Sequence, residues 1–258
     1  MLILLPPSET KDRPSPYADP MELGSLSLPA LTTARQSMLR AVQRTATGAD
    51  GAARLGVPAS APELTERMAH LDQEPAGAPL QVYSGVLFDQ LAPGTEVGAE
   101  RTVLIQSALL GLVDAAADRI PAYRVSATSR IQRLGTAGTW WRKHLTPVVA
   151  DLHRQLAASA SPLVIDCRSG AYRSMMPMSS TEQVRVLQVS PVQERGGARK
   201  VVSHDAKRYR GWVTRALLDA TRSPATAQET VELLRAGFDD TLGVELHGDE
   251  LIVVDRVD

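Results

Sequence analysis

Short apolar runs alternate with longer stretches of helical periodicity along the chain, and this alternation limits the possible folds more than any other feature. Runs rich in Val, Ile and Leu and bounded by Gly, Pro or Asp are typical of β-strands. They occupy residues 2–5, 80–83, 102–106, 163–166, 184–189, 199–203, 244–247 and 250–255. Apolar residues three or four positions apart predict α-helices at residues 30–44, 62–70, 139–156, 205–222 and 227–238. The two patterns are interleaved without a repeat, so we expect an α+β fold with one mixed sheet.

Length and composition fit one self-contained domain. The chain has 258 residues, of which 43% are apolar, and no linker-like segment divides it. We therefore expect a single domain over residues 1–258. The one cysteine, Cys167, excludes an internal disulfide and any multi-cysteine zinc site. Such sparse use of cysteine is typical of the reducing cytoplasm.

The N-terminal run MLILL is better explained as a strand than as a targeting signal. It lacks the basic region and the small-residue cleavage site that mark signal peptides. The sequence also has no run of about 18 apolar residues, the length that spans a bilayer. We therefore expect a cytoplasmic location and no membrane partner.

Charge is segregated along the chain although the net charge is only -1. Residues 119–215 contain 17 Lys and Arg against 5 Asp and Glu, and residues 119–144 contain six basic residues and no acidic one. A local positive potential attracts phosphates whatever the net charge, so this asymmetry favours a polyanionic partner. The alternative is that the basic and acidic segments pack against each other in the fold.

The helix predicted at residues 205–222 concentrates this positive charge, because one side of it is apolar and the charges of the other side are all basic. Gly196 and Gly197 lie between two predicted strands just before it and indicate a hairpin. The whole basic element is therefore expected to be similar to a helix-hairpin-helix. A helix N-terminus and a glycine turn expose backbone N–H groups that suit phosphate oxygens. The residues predicted to contact double-stranded DNA are Arg199, Lys200, Lys207, Arg208, Arg210, Gly211 and Arg215.

Gly211 is unusual within that helix, because glycine costs roughly 1 kcal/mol relative to alanine in a helix interior. A bare position on the basic side would let a phosphate or a sugar approach the backbone closely. The alternative is that Gly211 relieves crowding against a neighbouring element. Phosphate contacts on this surface would supply affinity without reading base sequence.

Five longer segments carry a resemblance to a known family. They are MLILLPPSETK from residue 1, VYSGVLFDQL from residue 82, IQSALLGLVDAAADRIPAYRVS from residue 105, LVIDCRSGAY from residue 163 and GGARKVVSHDAKRYRGWVTRALL from residue 196. In order and spacing the chain resembles the YaaA family of peroxide-stress proteins. The resemblance implies a single mixed α+β domain, DNA binding, and a bacterial cytoplasmic role in limiting oxidative damage linked to unincorporated iron.

The chain departs from that family pattern in two of the five segments. Lys11 lies two positions later than the lysine in the Ser-Pro-Ala-Lys-Thr string of the better-known branch. Asp166 and Cys167 stand where the family often has Asn and no cysteine. These differences indicate a divergent branch.

The segment that begins at Val164 permits an enzymatic interpretation. Cys167 begins a Cys-x5-Arg-Ser motif, which ends with Arg173 and Ser174. This spacing is similar to that of the loop in cysteine phosphatases. In that chemistry a thiolate attacks phosphorus, while backbone amides and the arginine hold the oxyanion. The carboxylate of Asp166 argues against it, because a neighbouring negative charge raises the pKa of a thiol. Tyr172 also occupies a position that usually needs a small residue.

Another enzymatic interpretation collects polar residues near the ends of predicted strands, where α/β folds commonly bind ligands. The candidate catalytic residues are Asp166, Tyr172, Ser169 and Cys167. The candidate pocket residues are Ser8, Lys11, Ser107, Tyr123 and Arg124. Asp166 would act as a general base and a cation would hold a phosphate, so the expected substrate is a nucleotide, a nucleobase or a small phosphorylated compound.

The sequence does not predict a metal site. The five histidines show no His-Glu-x-x-His or similar ligand spacing, and we expect no metal or other cofactor. Two functions therefore remain open at this point. One is DNA binding through the basic hairpin and helix at residues 196–222, aided by the basic segment from Arg119 to Lys143. The other is catalysis in a pocket at Asp166 and Tyr172.

Overall fold

The computed structural model describes residues 1–92, 94–202, 205–239 and 241–257. Within these residues the α-helices are α1 (Thr32–Ala46), α2 (Gly51–Leu55), α3 (Glu63–Ala69), α4 (Pro79–Val82), α5 (Ala137–Ala157), α6 (Gly170–Met175), α7 (Ala206–Asp219) and α8 (Ala227–Phe238). The strands are β1 (Leu2–Leu5), β2 (Ala76–Gly77), β3 (Thr102–Ser107), β4 (Gly111–Asp114), β5 (Ile120–Pro121), β6 (Arg130–Ile131), β7 (Gly135–Thr136), β8 (Leu163–Asp166), β9 (Arg185–Arg195), β10 (Ala198–Val201), β11 (Gly243–His247) and β12 (Glu250–Arg256). Short 3-10 helices lie at Pro29–Leu31 and Phe88–Gln90.

The strands form one large mixed sheet and two small two-stranded ones. The large sheet has the order β11-β12-β9-β8-β1-β3-β4, and β10 also pairs with β9. Its inner pairs, from β3 through β1, β8 and β9 to β12, are parallel, whereas the hairpin pairs are antiparallel. The α+β fold with a mixed sheet that the sequence predicts is confirmed.

The central strands β1 and β8 are buried over their whole length. Their sequences, LILL and LVID, are nearly continuous apolar runs, as expected for parallel strands covered on both faces. Leu4 of β1 pairs with Asp166 of β8, and Leu5 pairs with Ile105 of β3. The chain segments that follow β1 and β8 therefore leave the sheet at the same edge.

Helix α5 packs against the core with six buried residues, of which Trp141 is the largest. Trp141 is fully buried, and its indole Nε1 donates a hydrogen bond to the Ala108 carbonyl oxygen at 2.8 Å. Gly111 has a φ of 78°, and a Cβ at this position would lie 2.7 Å from the Trp141 ring. The turn between β3 and β4 thus needs glycine both for its backbone conformation and for the contact with Trp141.

Several elements follow the sequence closely and others do not. The bounds of β1, β8 and α8 are those predicted, whereas residues 80–83 form most of helix α4 instead of a strand. Pro79 starts that helix, a position where proline is well tolerated. The strand at 111–114 was not predicted, because it is short and begins at a glycine. The predicted strand at 199–203 includes Ser203, which lies outside the described residues.

The expected helix-hairpin-helix-like element is not confirmed. The hairpin consists of β9 and β10, which are joined by Gly196 and Gly197 with φ values of 56° and 78°. Two positive φ values are the signature of a tight β-hairpin turn. Helix α7 alone follows the hairpin, so the basic element is a β-hairpin and one helix.

The interpretation of Gly211 as an open approach for phosphate is wrong. Gly211 is buried, and a Cβ there would lie 2.5 Å from the Leu87 carbonyl oxygen and 2.7 Å from the Gln90 side chain. Helix α7 is covered on two sides, by the sheet and by the 3-10 helix at residues 88–90. The sequence of α7 shows only one apolar side, so it does not reveal the contact with the 3-10 helix. The structure supports the alternative interpretation, in which Gly211 relieves crowding against a neighbouring element.

Among the helices that the structure describes, none has the length and apolar composition needed to cross a membrane.

We expect Gly211→Ala to lower the free energy of unfolding by about 1–2 kcal/mol. Overpacking a tight site costs about 1–3 kcal/mol, and a Cβ 2.5 Å from a backbone oxygen places Gly211 in the upper part of that range. The cost therefore exceeds the gain of roughly 1 kcal/mol that alanine brings to a helix. Urea denaturation measures the difference. Gly170→Ala is the matched control, since a Cβ there meets no heavy atom of the described residues within 4 Å. Equal or greater stability of Gly211→Ala would contradict the packing described.

Candidate functional site

A cavity of about 550 Å³ opens at the sheet edge where β1 and β8 end. Its walls come from residues 6–11 after β1, from residues 124–128, from the start of α6, and from α7. We call it the cationic pocket. Of the residues singled out in the sequence, the structure brings together Ser8, Lys11, Arg124, Ser169, Tyr172, Lys207 and Arg210. Lys207 and Arg210, expected on a DNA surface, therefore share one cavity with residues expected in a ligand pocket.

The charges that line the cationic pocket are mostly positive. Lys11, Arg124, Lys207 and Arg210 contribute four basic side chains, and Glu9 contributes the one carboxylate among the described lining residues. Glu9 lies 3.8 Å from Arg124, and its side chain is 77% exposed. Such a loose contact neutralises little of the positive potential. The cavity is therefore suited to an anion.

Lys11 is the most unusual of these cations. Its Nζ donates a hydrogen bond to the Ser8 carbonyl oxygen at 2.6 Å and lies 4.2 Å from the centre of the Tyr123 ring. Burial lowers the pKa of Lys11 to about 7, with a further contribution from Arg124, while Glu9 acts in the opposite direction. At neutral pH the side chain therefore exists in comparable amounts as a cation and as a free amine.

The floor beneath Lys11 is a buried network of hydroxyl groups. The Tyr123 hydroxyl is hydrogen-bonded to the Tyr83 hydroxyl at 2.8 Å and to the Ser107 Oγ at 2.7 Å. Ser107 also accepts hydrogen bonds from the backbone N–H groups of Leu109 and Leu110. Burial raises the pKa of both tyrosines, so both stay protonated. Tyr123 and Ser107 thus support Lys11 from below and do not line the cationic pocket.

Sequence reasoning missed Tyr83 as part of this floor. It belongs to the segment VYSG, which carries part of the family resemblance, but it was assigned to a strand. In the structure it ends helix α4 and turns its ring under Lys11, 5.3 Å from the Nζ. The presence of an aromatic residue in a segment shared with the family was the sequence signal that could have identified Tyr83 as part of the site.

Arg124 is oriented by two backbone contacts. Its Nε donates a hydrogen bond to the Gly56 carbonyl oxygen at 3.0 Å, and its Nη1 donates to the Glu9 carbonyl oxygen at 3.1 Å. Tyr172 also lines the cavity, and burial raises its pKa to about 12, so the phenol is protonated. Arg124 and Tyr172 are therefore both hydrogen-bond donors at the cavity.

Arg210 reaches the cavity from α7 and is only partly satisfied. Its Nε is buried and has no hydrogen-bond partner among the described residues. Burial lowers the pKa of Arg210, and the nearby Arg173 lowers it further, while Cys167 and Asp166 act in the opposite direction. An unpaired buried donor is costly, and an anionic ligand oxygen would be a suitable acceptor for it. Lys207, one turn earlier, is exposed at the rim.

Asp166 lies below the cavity and is occupied by a structural ion pair. Its two carboxylate oxygens accept hydrogen bonds from Arg168 Nε at 2.9 Å and Nη2 at 2.8 Å, and Oδ1 also accepts the Arg168 backbone N–H. Both residues are almost fully buried. A general base needs a free oxygen that faces the substrate, and the structure does not place Asp166 in that position.

Cys167 is equally remote from the cavity. The thiol is fully buried, and burial raises its pKa to about 12. Nucleophilic cysteines need the opposite, a lowered pKa and access to the substrate. The structure therefore gives no support to a phosphatase-like thiolate, although the strand before Cys167 lies where the sequence predicts it.

Most of the other cations predicted to contact DNA are paired with acids of the protein itself. Arg199 forms ion pairs with Glu194 and Glu245 at 2.7 Å each. Arg208 lies 3.9 Å from Asp205, and Arg215 is hydrogen-bonded to Asp219. Lys200 is exposed on β10. Packing of basic against acidic groups, the alternative noted from the sequence, thus applies to three of these cations.

A second set of cations remains unpaired. Arg130, Arg133, Arg142 and Lys143 are exposed, and none of them forms an ion pair with a described carboxylate. We call this set the basic flank. Its first member, Arg130, is near the cationic pocket along the chain, because residues 126–128 line the pocket and Arg130 follows two positions after Thr128.

The described residues contain no group of three or more His, Cys, Asp or Glu side chains that could hold a metal ion.

Comparison with known proteins identifies the family. A family model described as "Peroxide stress protein YaaA" matches residues 1–239. The chain is 35% identical over 251 residues to a UPF0246 protein of Streptomyces coelicolor, and the match covers 91% of this chain and 89% of that protein. It is 36% identical over 237 residues to a UPF0246 protein of Corynebacterium efficiens, with 91% and 92% covered. The chain belongs to the YaaA family of peroxide stress proteins.

Proposed function

We propose that the protein binds a phosphate-bearing ligand of about the size of a nucleotide in the cationic pocket. The observation that carries this proposal is the convergence of four basic side chains on one cavity of about 550 Å³ that contains a single described carboxylate. Small-molecule sites commonly have volumes of about 300–1,000 Å³. The pocket therefore has both the charge and the size for such a ligand.

Three of the four cations can recognise a phosphate in complementary ways. Arg124 is held in place by backbone carbonyl groups and offers a fixed guanidinium, which suits two-point contact with phosphate oxygens. Arg210 offers a buried N–H without a partner. Lys207 is exposed at the rim and can move to follow the ligand. Together they favour a dianionic group over a neutral one.

The family description supplies a physiological setting. It associates such proteins with peroxide stress, and we infer that ligand binding serves that response. We place this action in the cytoplasm, because the free Cys167 fits a reducing compartment.

A second candidate function is binding of double-stranded DNA through its phosphate backbone. The basic flank supports it, since its four cations are exposed and unpaired with described acids. These cations belong to the basic segment 119–143 that the sequence offered in support of the hairpin and helix. In the hairpin and helix themselves, Arg199, Arg208 and Arg215 are paired with acids. A nucleotide of the bound DNA would then be the occupant of the cationic pocket.

We expect calorimetric titration to show that adenosine 5′-monophosphate binds and that adenosine does not. Lys207→Met should weaken the monophosphate about tenfold, because it removes one charge-assisted contact worth about 1.4 kcal/mol. Lys200→Met is the control, since Lys200 is also exposed but lies on β10, away from the pocket. Equal affinities of wild type and Lys207→Met, or equal binding of the nucleoside, would contradict the proposal.

Affinity for sulfate should fall as the pH rises through about 7. Sulfate stays dianionic over this range, and its binding favours the protonated form of Lys11, whose pKa is about 7 in the free protein. Lys11 is charged below that pH and must take up a proton to assist binding above it, so the loss is at most about tenfold per pH unit. Titrations from pH 6 to 8.5 measure it. Lys11→Met should bind sulfate more weakly and without this pH dependence. An affinity of the wild type that is constant with pH would show that Lys11 does not contact the anion.

DNA binding through the basic flank predicts a specific salt effect. The double variant Arg142→Ala/Lys143→Ala should reduce the slope of log affinity against log salt concentration by about 1.8, the value for loss of two phosphate contacts. Arg154→Ala, on the same helix α5 but paired with Asp151, is the matched control and should keep the wild-type slope. Fluorescence anisotropy with duplexes of unrelated sequence measures both. An unchanged slope in the double variant would exclude these two residues from the DNA contact.

A further inference from the structure

Lys11 differs from the other three lysines of the chain in its surroundings. Lys143, Lys200 and Lys207 are exposed, whereas Lys11 is half-buried. Its Nζ makes one hydrogen bond to a backbone carbonyl group and forms no ion pair with a described carboxylate. It lines both the cationic pocket and an adjoining cavity of about 320 Å³. The amine is therefore accessible to a ligand without being held by an acid.

We propose that Lys11 is a nucleophile that forms an imine with the open-chain aldehyde of a phosphorylated sugar bound in the cationic pocket. This inference rests on the proposed binding of a phosphate-bearing ligand and names its substrate class. The phosphate would contact Arg124, Arg210 and Lys207, and the carbonyl carbon would face the Lys11 Nζ.

The protonation of Lys11 supports a role as nucleophile. An ordinary lysine with a pKa of about 10.4 is neutral in fewer than about one molecule in a thousand at pH 7. Lys11 has a pKa of about 7, so about half of the molecules carry a free amine at that pH. Burial and the neighbouring Arg124 cause this shift, which is one of the known ways to activate a lysine.

The reaction is balanced without any additional reactant. The Nζ lone pair attacks the carbonyl carbon while the carbon–oxygen π electrons move to the oxygen. A proton moves from nitrogen to that oxygen, which gives a carbinolamine. Its hydroxyl group is protonated from solvent through the open side of the pocket and leaves as water, while the nitrogen lone pair forms the carbon–nitrogen double bond. The resulting iminium ion returns its N–H proton to solvent to give the imine. Anchoring of the phosphate holds the aldehyde near the amine and raises its effective concentration.

Two sources of such an aldehyde share this chemistry. One is a free sugar phosphate, and the other is the ring-opened deoxyribose of an abasic site in DNA, whose flanking phosphates supply the anion. The cationic pocket fits the first directly. The exposed cations of the basic flank, which begins two positions after the pocket residue Thr128, would extend binding along the backbone in the second case.

Reductive trapping tests the inference. The full-length protein is incubated with 2-deoxyribose 5-phosphate and sodium cyanoborohydride, which reduces an imine to a stable secondary amine, and the adduct is mapped by peptide mass spectrometry. We expect at least tenfold more labelling on Lys11 than on Lys143, Lys200 or Lys207. The rate of labelling should rise with a midpoint near pH 7. A parallel arm with a duplex that contains one abasic site identifies the source of the aldehyde.

The three exposed lysines serve as internal controls. The peptide map of the wild-type protein therefore tests whether Lys11 is the nucleophile even if a variant does not fold. Lys11→Arg should keep the positive charge and lose the adduct. Binding of 2-deoxyribitol 5-phosphate, which has no carbonyl group, is measured separately. If that analogue binds but labelling is absent in both arms or equal on all four lysines, Lys11 is not the nucleophile and the pocket stands. If neither the analogue nor the monophosphate binds, the proposed function fails as well.

Discussion

The parallel pairing of β1 with β3 and β8 is the constraint on which the rest of the structure depends. It places the ends of the three strands at one edge of the sheet, because parallel strands share their direction. The chain after β1 delivers Lys11 to that edge, and the chain after β8 delivers Tyr172. Helix α7 then adds Arg210 and Lys207 from the side. Without this pairing the pocket residues would not lie close together, because they are far apart in sequence and only the sheet brings them to one place.

The buried polar groups divide into those that build the fold and those that face the cavity. Asp166 and Arg168 form a two-point ion pair, and Arg168 also donates to Gln106 and to the Met176 carbonyl oxygen. Lys11 and Arg210 are different, because they are positive, largely surrounded by protein, and left without a carboxylate partner in the described part of the chain. Unpaired buried charge is expensive. Arg35 is also a buried cation without a carboxylate partner among the described residues, but three backbone carbonyl groups accept its hydrogen bonds. At the cavity, by contrast, Lys11 and Arg210 line a space that is open to a ligand.

The sequence was informative where a pattern is local. The apolar runs of β1 and β8 predicted the central strands, and the expectation that polar residues gather at strand ends identified much of the pocket wall. It could not show partners that are distant along the chain. Arg199 is neutralised by Glu245, 46 positions away, and Gly211 is packed against Leu87, so neither contact leaves a periodic signal. The spacing of Asp166 and Cys167 suggested catalytic residues. In the structure both are buried, Asp166 in an ion pair with Arg168 and Cys167 with a raised pKa, so neither is available for catalysis.

The central claim is that Lys11 in the cationic pocket has a pKa of about 7 and that a bound anion raises this pKa. Observation of the Lys11 side-chain carbon next to the amine by ¹³C NMR, as a function of pH, tests it most directly. The account predicts a titration near pH 7 in the free protein and an upward displacement of that midpoint in saturating adenosine 5′-monophosphate. A titration near pH 10.4, the value of an ordinary lysine, unchanged by the nucleotide, would contradict it.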